Sequence, residues 1–230
     1  MKKESEKFVY ELRQADGTKV LFHDIFTNGI VYLNFVFDMQ DVDAELLPYA
    51  SSLKKALGML NTENYEYGDL FNEINIRTGG ISGAISTYTD SDDVTKFATK
   101  FEVSVKVLHE NLHYAFDLVK ETLIRSKLGD VKRLREIFGE QYARLQTDLS
   151  SAGHHSAALR AMSYVSPAAM VSDNCSGIAY FRHLEKMMKD LETDEGAAEL
   201  IKKLSDLTKL IFRPENLLVD VTCTQKDMRV

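Results

Sequence analysis

The sequence predicts an α+β domain in which a mostly antiparallel sheet carries helices on one face. Segments with the period of two of a strand lie near both ends and in the middle of the chain, and segments with helical periodicity separate them. Short turn signals connect neighbouring strands, which favours antiparallel pairs. Only three prolines occur in 230 residues, which suits long helices. This order of elements predicts one sheet with helices packed on one side of it.

The N-terminal part predicts three strands. Phe8 to Leu12 and Lys19 to Ile25 form a hairpin around the turn Ala15-Asp16-Gly17. Ile30 to Asp38 is rich in β-branched and aromatic residues, and it predicts a strand that is buried on both faces or nearly so.

A helix follows, with Asp43 as its cap and Pro48 in its first turn. Its predicted apolar stripe consists of Ala50, Leu53, Leu57 and Leu60. A second helix is predicted over Tyr67 to Arg77. The pair Gly79-Gly80 then indicates a sharp turn into a strand that begins at Ile81, and Phe97 to Leu108 alternates as its hairpin partner.

The C-terminal half is mainly helical and ends in a strand. The predicted elements are a helix through Leu112 to Leu123, a helix over Asp130 to Leu149, a loop or kink over Ser150 to Ser156, a helix over Ala157 to Val165, a break at Ser166-Pro167, helices over Ile178 to Leu191 and Ala197 to Phe212, and a strand over Leu217 to Thr222.

The composition indicates an ordinary globular protein, with 44% hydrophobic and 27% charged residues. The net charge of −7 disfavours a nucleic-acid surface, and no apolar run is long enough to span a membrane. Residues 1–7 are charged and predict a disordered tail without a signal peptide, and residues 8–230 predict a single domain. Cys175 and Cys223 are expected to be reduced thiols in the cytoplasm or an organelle matrix.

One segment has the spacing of the zinc-protease pattern HExxH, namely His109, Glu110 and His113. On one helix, the two histidines would share a face and the glutamate could act as a general base. The strand pattern, however, runs to Leu108, and the next helix most naturally begins after Asn111. The histidines would then lie on either side of a joint, so a zinc peptidase built on them is the alternative hypothesis.

No other residues form a catalytic arrangement. His154 and His155 are adjacent and are expected in a polar loop, where they would chelate a metal poorly. Lys132, Arg133 and Arg135 are expected on a solvated helix face. We therefore predict no catalytic and no metal-binding residue in this chain.

Several segments resemble the presequence-protease branch of the pitrilysin/insulinase zinc metallopeptidases. In order along the chain they are Thr27 to Asp38, Leu47-Pro48-Tyr49, Thr78 to Ser82, Ser151 to Ala161, and Arg213 to Leu217. Proteins of this family carry four related αβ modules of the LuxS/mitochondrial-processing-peptidase-like type, and only the first module holds the inverted zinc motif HxxEH. This chain resembles the third module.

The resemblance places the remains of the zinc motif on the helix after Pro48. The first histidine corresponds to Tyr49, the glutamate to Ser52 and the second histidine to Leu53. These side chains lack the imidazole nitrogens that bind Zn²⁺ and the carboxylate that serves as a base. The resemblance further implies that Tyr49, Leu53, Leu57 and Leu60 form one apolar face against the sheet.

The sequence thus predicts a structural module of the substrate chamber of a zinc-dependent oligopeptidase that degrades unstructured peptides. Zinc is expected in the catalytic module of the parent protein and not in this chain. The expected partners are other modules of the same polypeptide and peptide substrates, and the isolated module is expected to self-associate. A stand-alone interaction domain is the second alternative.

Overall fold

The computed structural model describes residues 10–93 and 95–228. In this part of the chain the strands are β1 (Glu11–Ala15), β2 (Thr18–Asp24), β3 (Ile30–Asp38), β4 (Ile81–Thr89), β5 (Phe97–Leu108) and β6 (Leu217–Cys223). The α-helices are α1 (Leu47–Ala56), α2 (Tyr67–Arg77), α3 (Leu112–Ile124), α4 (Val131–Met162), α5 (Pro167–Ser176), α6 (Ile178–Asp190) and α7 (Asp194–Ile211).

The strands form one six-stranded sheet in the order β1-β2-β6-β3-β5-β4. Every neighbouring pair is antiparallel except β2 and β6, which are parallel. The predicted fold class is therefore confirmed. Strands β1 and β4 are the two edges of the sheet.

The first hairpin forms where the turn signal predicts it. Asp16 and Gly17 both have positive φ, at 47° and 84°, which matches the right-handed twist of the two strands that they connect. Strand β1 begins at Glu11, and the earlier part of the predicted strand, together with the predicted tail over residues 1–7, lies outside the described residues.

Strand β3 is buried on one face only, which corrects the prediction of a strand buried on both. Val31, Leu33, Phe35 and Phe37 point toward the helices and are buried, whereas Tyr32 on the other face is 47% exposed. The β-branched and aromatic composition reflects strand propensity as well as burial, so composition alone does not distinguish the two cases. The sheet therefore has one helix-covered face and one open face.

The hydrophobic core lies between the sheet and the helices. Helix α1 is at its centre, because eight of its ten residues are buried, including Ser51 and Ser52. The predicted amphipathic stripe is thus wrong for this helix. The helix also ends at Ala56, since Leu57 is extended and Gly58 has a φ of 81°, so Leu57 and Leu60 lie beyond it.

Two further differences concern the helices after β5. Helix α4 is longer than predicted because the expected loop over residues 150–156 is helical, with a kink at Ala152. Ser166 and Pro167 begin α5 instead of only breaking the chain. The Ser166 hydroxyl accepts a hydrogen bond from the Ala169 amide, and Pro167 occupies a position at which a helix loses no hydrogen bond.

Among the described residues, no helix combines the length and the apolar character that a membrane-spanning segment requires.

Candidate functional site

The remains of the predicted metal motif are part of the protein core. Tyr49 is 7% exposed, and Ser52 and Leu53 are fully buried. The Tyr49 ring lies against α6 and α7, with the His183 ring at 6.4 Å and the Lys203 ammonium at 5.3 Å from its centroid. The expectation that Tyr49 packs with Leu57 and Leu60 as one face against the sheet is therefore wrong, because Tyr49 contacts helices and the other two lie outside α1.

The serines of α1 are used for packing between helices. Ser51 Oγ donates to the carbonyl oxygen of Cys175 at 2.6 Å, and Ser52 Oγ lies 3.2 Å from the hydroxyl of Tyr180. Burial raises the pKa of Tyr180 and raises the pKa of the Cys175 thiol to about 11. Both groups therefore stay protonated at neutral pH, and Cys175 is not an activated nucleophile.

These residues do not fit a zinc ion. Tyr49, Ser52 and Leu53 present no imidazole and no carboxylate, and hydrogen bonds within the core already occupy the serine hydroxyl. Over residues 10–93 and 95–228 there is also no group of three or more His, Cys, Asp or Glu side chains that could hold a metal ion.

The alternative zinc motif is divided between two elements. His109 and Glu110 lie in a 3-10 turn over His109–Asn111, and His113 lies in the first turn of α3, which begins at Leu112 as predicted. The His113 ring is 3.9 Å from that of Tyr114. The three residues do not share one α-helix, as an HExxH zinc site requires.

The remaining sequence candidates have structural roles. His154 and His155 lie on α4 after its kink, and not in a loop as expected, with ring centroids 4.1 Å apart. Arg133 donates to the carbonyl oxygen of Met59 at 2.9 Å and pairs with Glu136. The basic cluster thus ties α4 to the end of the α1 region.

The largest concavity, of about 460 Å³, lies on the open face of the sheet. One row of paired residues crosses this face from one edge to the other and consists of Leu12, Leu21, Asp220, Asn34, Ser104 and Ser82. The row is apolar on β1 and β2 and polar on the other four strands. Ser104 Oγ donates to Asn34 Oδ1 at 3.1 Å.

The charges of the open face are mostly paired. Lys100 Nζ lies 2.6 Å from Asp38 Oδ2, and Glu102 accepts hydrogen bonds from Ser86 and Tyr88. Asp220 differs, because its Oδ1 is buried without a hydrogen bond from any described residue, although His23 Nε2 lies 3.3 Å away.

Burial raises the pKa of Asp220 and the nearby His23 opposes this effect. A face of this kind can bind polar and extended ligands. It presents no nucleophile with an adjacent base.

This geometry defines a class of protein, namely a one-sided α+β module in which the position of a metal-binding helix is filled by buried side chains that bind no metal. A family model described as "Peptidase M16-C associated" matches residues 1–187. The chain belongs to this family of peptidase-associated modules. Its resemblance to the presequence-protease branch of these peptidases, and to a non-catalytic module of it, is confirmed.

Curated relatives agree with this family. The chain is 33% identical over 225 residues to "Protein HypA" of Clostridium perfringens, covering 98% of this chain and 23% of the relative. It is 27% identical over 221 residues to "Presequence protease 1, chloroplastic/mitochondrial" of Arabidopsis thaliana, covering 95% of this chain and 20% of the relative. The chain therefore spans only about a fifth of the length of these relatives.

A solved structure shows the same fold. The crystal structure of a conserved protein from Enterococcus faecalis V583 superimposes with a TM-score of 0.58 and 16% identity, over 91% of this chain and 48% of that chain.

Proposed function

We propose that this chain is a non-catalytic wall module of a zinc-dependent oligopeptidase that degrades unstructured peptides. The observation that carries the proposal is the open, polar face of the sheet, which extends over four strands and which no helix of the described chain covers. A surface that exchanges hydrogen bonds with water can equally receive the polar backbone of an extended peptide. The helices on the opposite side would then form the outer shell of the chamber.

The packing of α1 supports the inactive character of the module. Burying Leu53 completely contributes roughly 1.5–3 kcal/mol to folding. Two histidines and a glutamate at the positions of Tyr49, Ser52 and Leu53 would instead leave polar groups in the core, which is costly without a metal that pairs them. Zinc would therefore be held by another module of the parent protein. The compartment, cytoplasm or organelle matrix, stays a prediction from the sequence.

Other modules of the same polypeptide are the proposed partners. Phe116 and Ile124 on α3 are 44% and 51% exposed, and they line an apolar groove of about 410 Å³ that continues to Leu217. In the isolated chain this surface should drive self-association. Sedimentation velocity should show mass that rises with concentration, and Ile124→Glu should reduce the effect. A wild-type chain that stays monomeric at high concentration would contradict this part of the proposal.

The wall role is tested by labelling the two sides of the module in the complete polypeptide. Ser104 is exposed on the open face, and Ser172 is exposed on α5 on the helical side. Each is replaced by cysteine and modified with a bulky maleimide, while hydrolysis of an unstructured fluorogenic peptide is measured. Modified Ser104→Cys should lose most activity and modified Ser172→Cys should keep it. The reverse result would refute the assignment of the open face to the chamber.

Metal analysis tests the inactive character separately. The purified chain should contain no stoichiometric zinc and should not hydrolyse the peptide. Stoichiometric zinc that is lost in His113→Ala would instead support the alternative site of His109, Glu110 and His113.

A further inference from the structure

The two edges of the sheet differ in how they are protected against pairing. Strand β1 has five residues and carries Glu11 and Arg13. Strand β4 has nine residues, Ile81–Thr89, and contains no charged residue and no proline. Proteins usually protect a free edge with charges, proline or short length, because an unprotected edge pairs with another chain. Strand β4 lacks each of these protections, so its edge is suited to accept a further strand.

The hydrogen-bond register identifies which groups of β4 are free. The amide of Asp90 donates to the carbonyl oxygen of Lys96, so the even-numbered residues of β4 bond to β5. The peptide groups of Ile81, Gly83, Ile85 and Thr87 therefore point to the open edge. No hydrogen bond from a described residue reaches them. Four consecutive donor–acceptor positions are thus available to an extended segment.

A cavity lies beside this edge on the helix-covered side of the sheet. It has a volume of about 250 Å³ and is lined mainly by apolar side chains, among them Leu57, Phe71 and Ile81. Phe71 on α2 is 60% exposed. A strand added to β4 would direct every second side chain toward this cavity, because side chains alternate between the two faces of a sheet.

Lys54 gives the cavity a positive charge. Its aliphatic stem crosses β4 at Gly83, where a Cβ would come within 3.2 Å of Lys54 Cγ, so the absence of a side chain at Gly83 leaves room for the lysine. Burial and the neighbouring Lys55 lower the pKa of Lys54, and no carboxylate of the described residues offsets them. A half-buried ammonium without an acidic partner favours an anionic ligand.

We propose that the free edge of β4 binds an extended peptide segment by strand addition, and that Lys54 selects a segment that carries a carboxylate beside apolar residues. The backbone of the segment bonds to Ile81, Gly83, Ile85 and Thr87. Its carboxylate pairs with the Lys54 ammonium, and its apolar side chains enter the cavity next to Phe71. This site rests on the proposed function only for the origin of the peptide, which would be a substrate inside the chamber.

Peptide titration of the 230-residue chain tests the proposal. The probe is a short fluorescent peptide rich in valine and threonine with one central glutamate, and the comparison peptides carry glutamine there or carry N-methyl groups on alternate backbone amides. The glutamate peptide should bind about tenfold more tightly than the glutamine peptide, as expected for a partly buried ion pair. N-methylation should abolish binding, because it removes the donors that pair with the edge.

Two protein variants isolate the role of Lys54. Lys54→Met keeps the length of the stem and removes the charge, and it should eliminate the preference for glutamate while the glutamine peptide still binds. Lys55→Met makes the same change in charge on an exposed neighbour and should keep the preference. Amide NMR signals of Ile81, Gly83 and Ile85 should shift during the titration, whereas the signal of Leu12 on the other edge should not.

Several results would overturn the proposal. They are equal binding of the N-methylated peptide, equal affinity for the glutamate and glutamine peptides, or a β4-to-β4 dimer that the peptide does not displace in sedimentation experiments. The outcome is separable from the wall role. Absent peptide binding with a positive Ser104 labelling result would reject only this site, and peptide binding with a negative labelling result would reject only the chamber wall.

Discussion

Glu121 on α3 is a buried carboxylate whose ionisation holds the segment before α2 in place. Its side chain is 3% exposed. It accepts hydrogen bonds from the backbone amide of Asn64 at 3.0 Å, the Asn64 side-chain amide at 2.9 Å and Arg125 Nη1 at 2.8 Å. Helix α2 begins shortly after Asn64 and supplies Phe71 to the cavity beside β4. Protonation of Glu121 should therefore loosen the wall of the proposed peptide site.

The magnitude follows from the pKa of Glu121. Burial raises this pKa, but hydrogen bonds from Thr62, Arg125 and Asn64 outweigh burial and lower it from 4.5 to about 2. A carboxyl group with a lowered pKa stabilises the folded state above its unfolded pKa, and the contribution disappears as the pH falls through the folded value. The difference between 4.5 and about 2 corresponds to about 3 kcal/mol at neutral pH, lost between about pH 5 and pH 2.

Urea unfolding of Glu121→Gln and wild type at a series of pH values measures this effect. The variant should be less stable by about 3 kcal/mol at pH 7, and the difference should shrink steadily below about pH 4.5. Glu110→Gln makes the same chemical change at an exposed position and should show a small difference that does not depend on pH. A Glu121→Gln difference that stays constant or grows on acidification would refute the reasoning.

Two further predictions concern the core and the helix junctions. Leu53→Ala should reduce the free energy of unfolding by about 2–5 kcal/mol because Leu53 is fully buried at the centre of the core, and the control Lys55→Ala on the same helix should change it by less than about 0.5 kcal/mol, both measured by urea unfolding. Gly177→Ala should destabilise the protein because the added Cβ would collide with the Asp173 carboxylate, whereas Gly153→Ala within α4, where nothing lies within 4 Å, should raise the melting temperature by replacing a helical glycine. Equal effects of the two glycine substitutions would contradict this account.

The sheet and the short helices were predictable because their signals are local. The bounds of β3, β5 and α2 agree with the prediction at both ends, since alternation, helical periodicity and the Gly79-Gly80 turn all act within a few residues. Tertiary contacts explain the failures. Helix α1 is buried all round, so no amphipathic stripe marks its orientation, and polar residues let α4 continue past the kink at Ala152. Helix α5 did have a local signal, namely a capping serine followed by proline.

The candidate site shows the same division. That Tyr49, Ser52 and Leu53 cannot bind zinc follows from residue chemistry and could be predicted. That Tyr49 packs against His183 and Lys203 could not, because those residues lie more than a hundred positions away in sequence. The free edge of β4 also depends on strand order, since β6, from the far end of the chain, inserts between β2 and β3 and leaves β4 outermost.

The contrast between α1 and β4 argues for a retained binding role. Helix α1 holds no metal ligand, and its positions are taken over by buried contacts that stabilise the core. A module needed only for stability would be expected to protect its sheet edge as well, with charges like those of β1. Strand β4 instead keeps four free peptide positions, an adjacent apolar cavity and the unpaired Lys54. Chemistry and peptide binding are thus separable in this fold, and the loss of one does not remove the physical basis of the other.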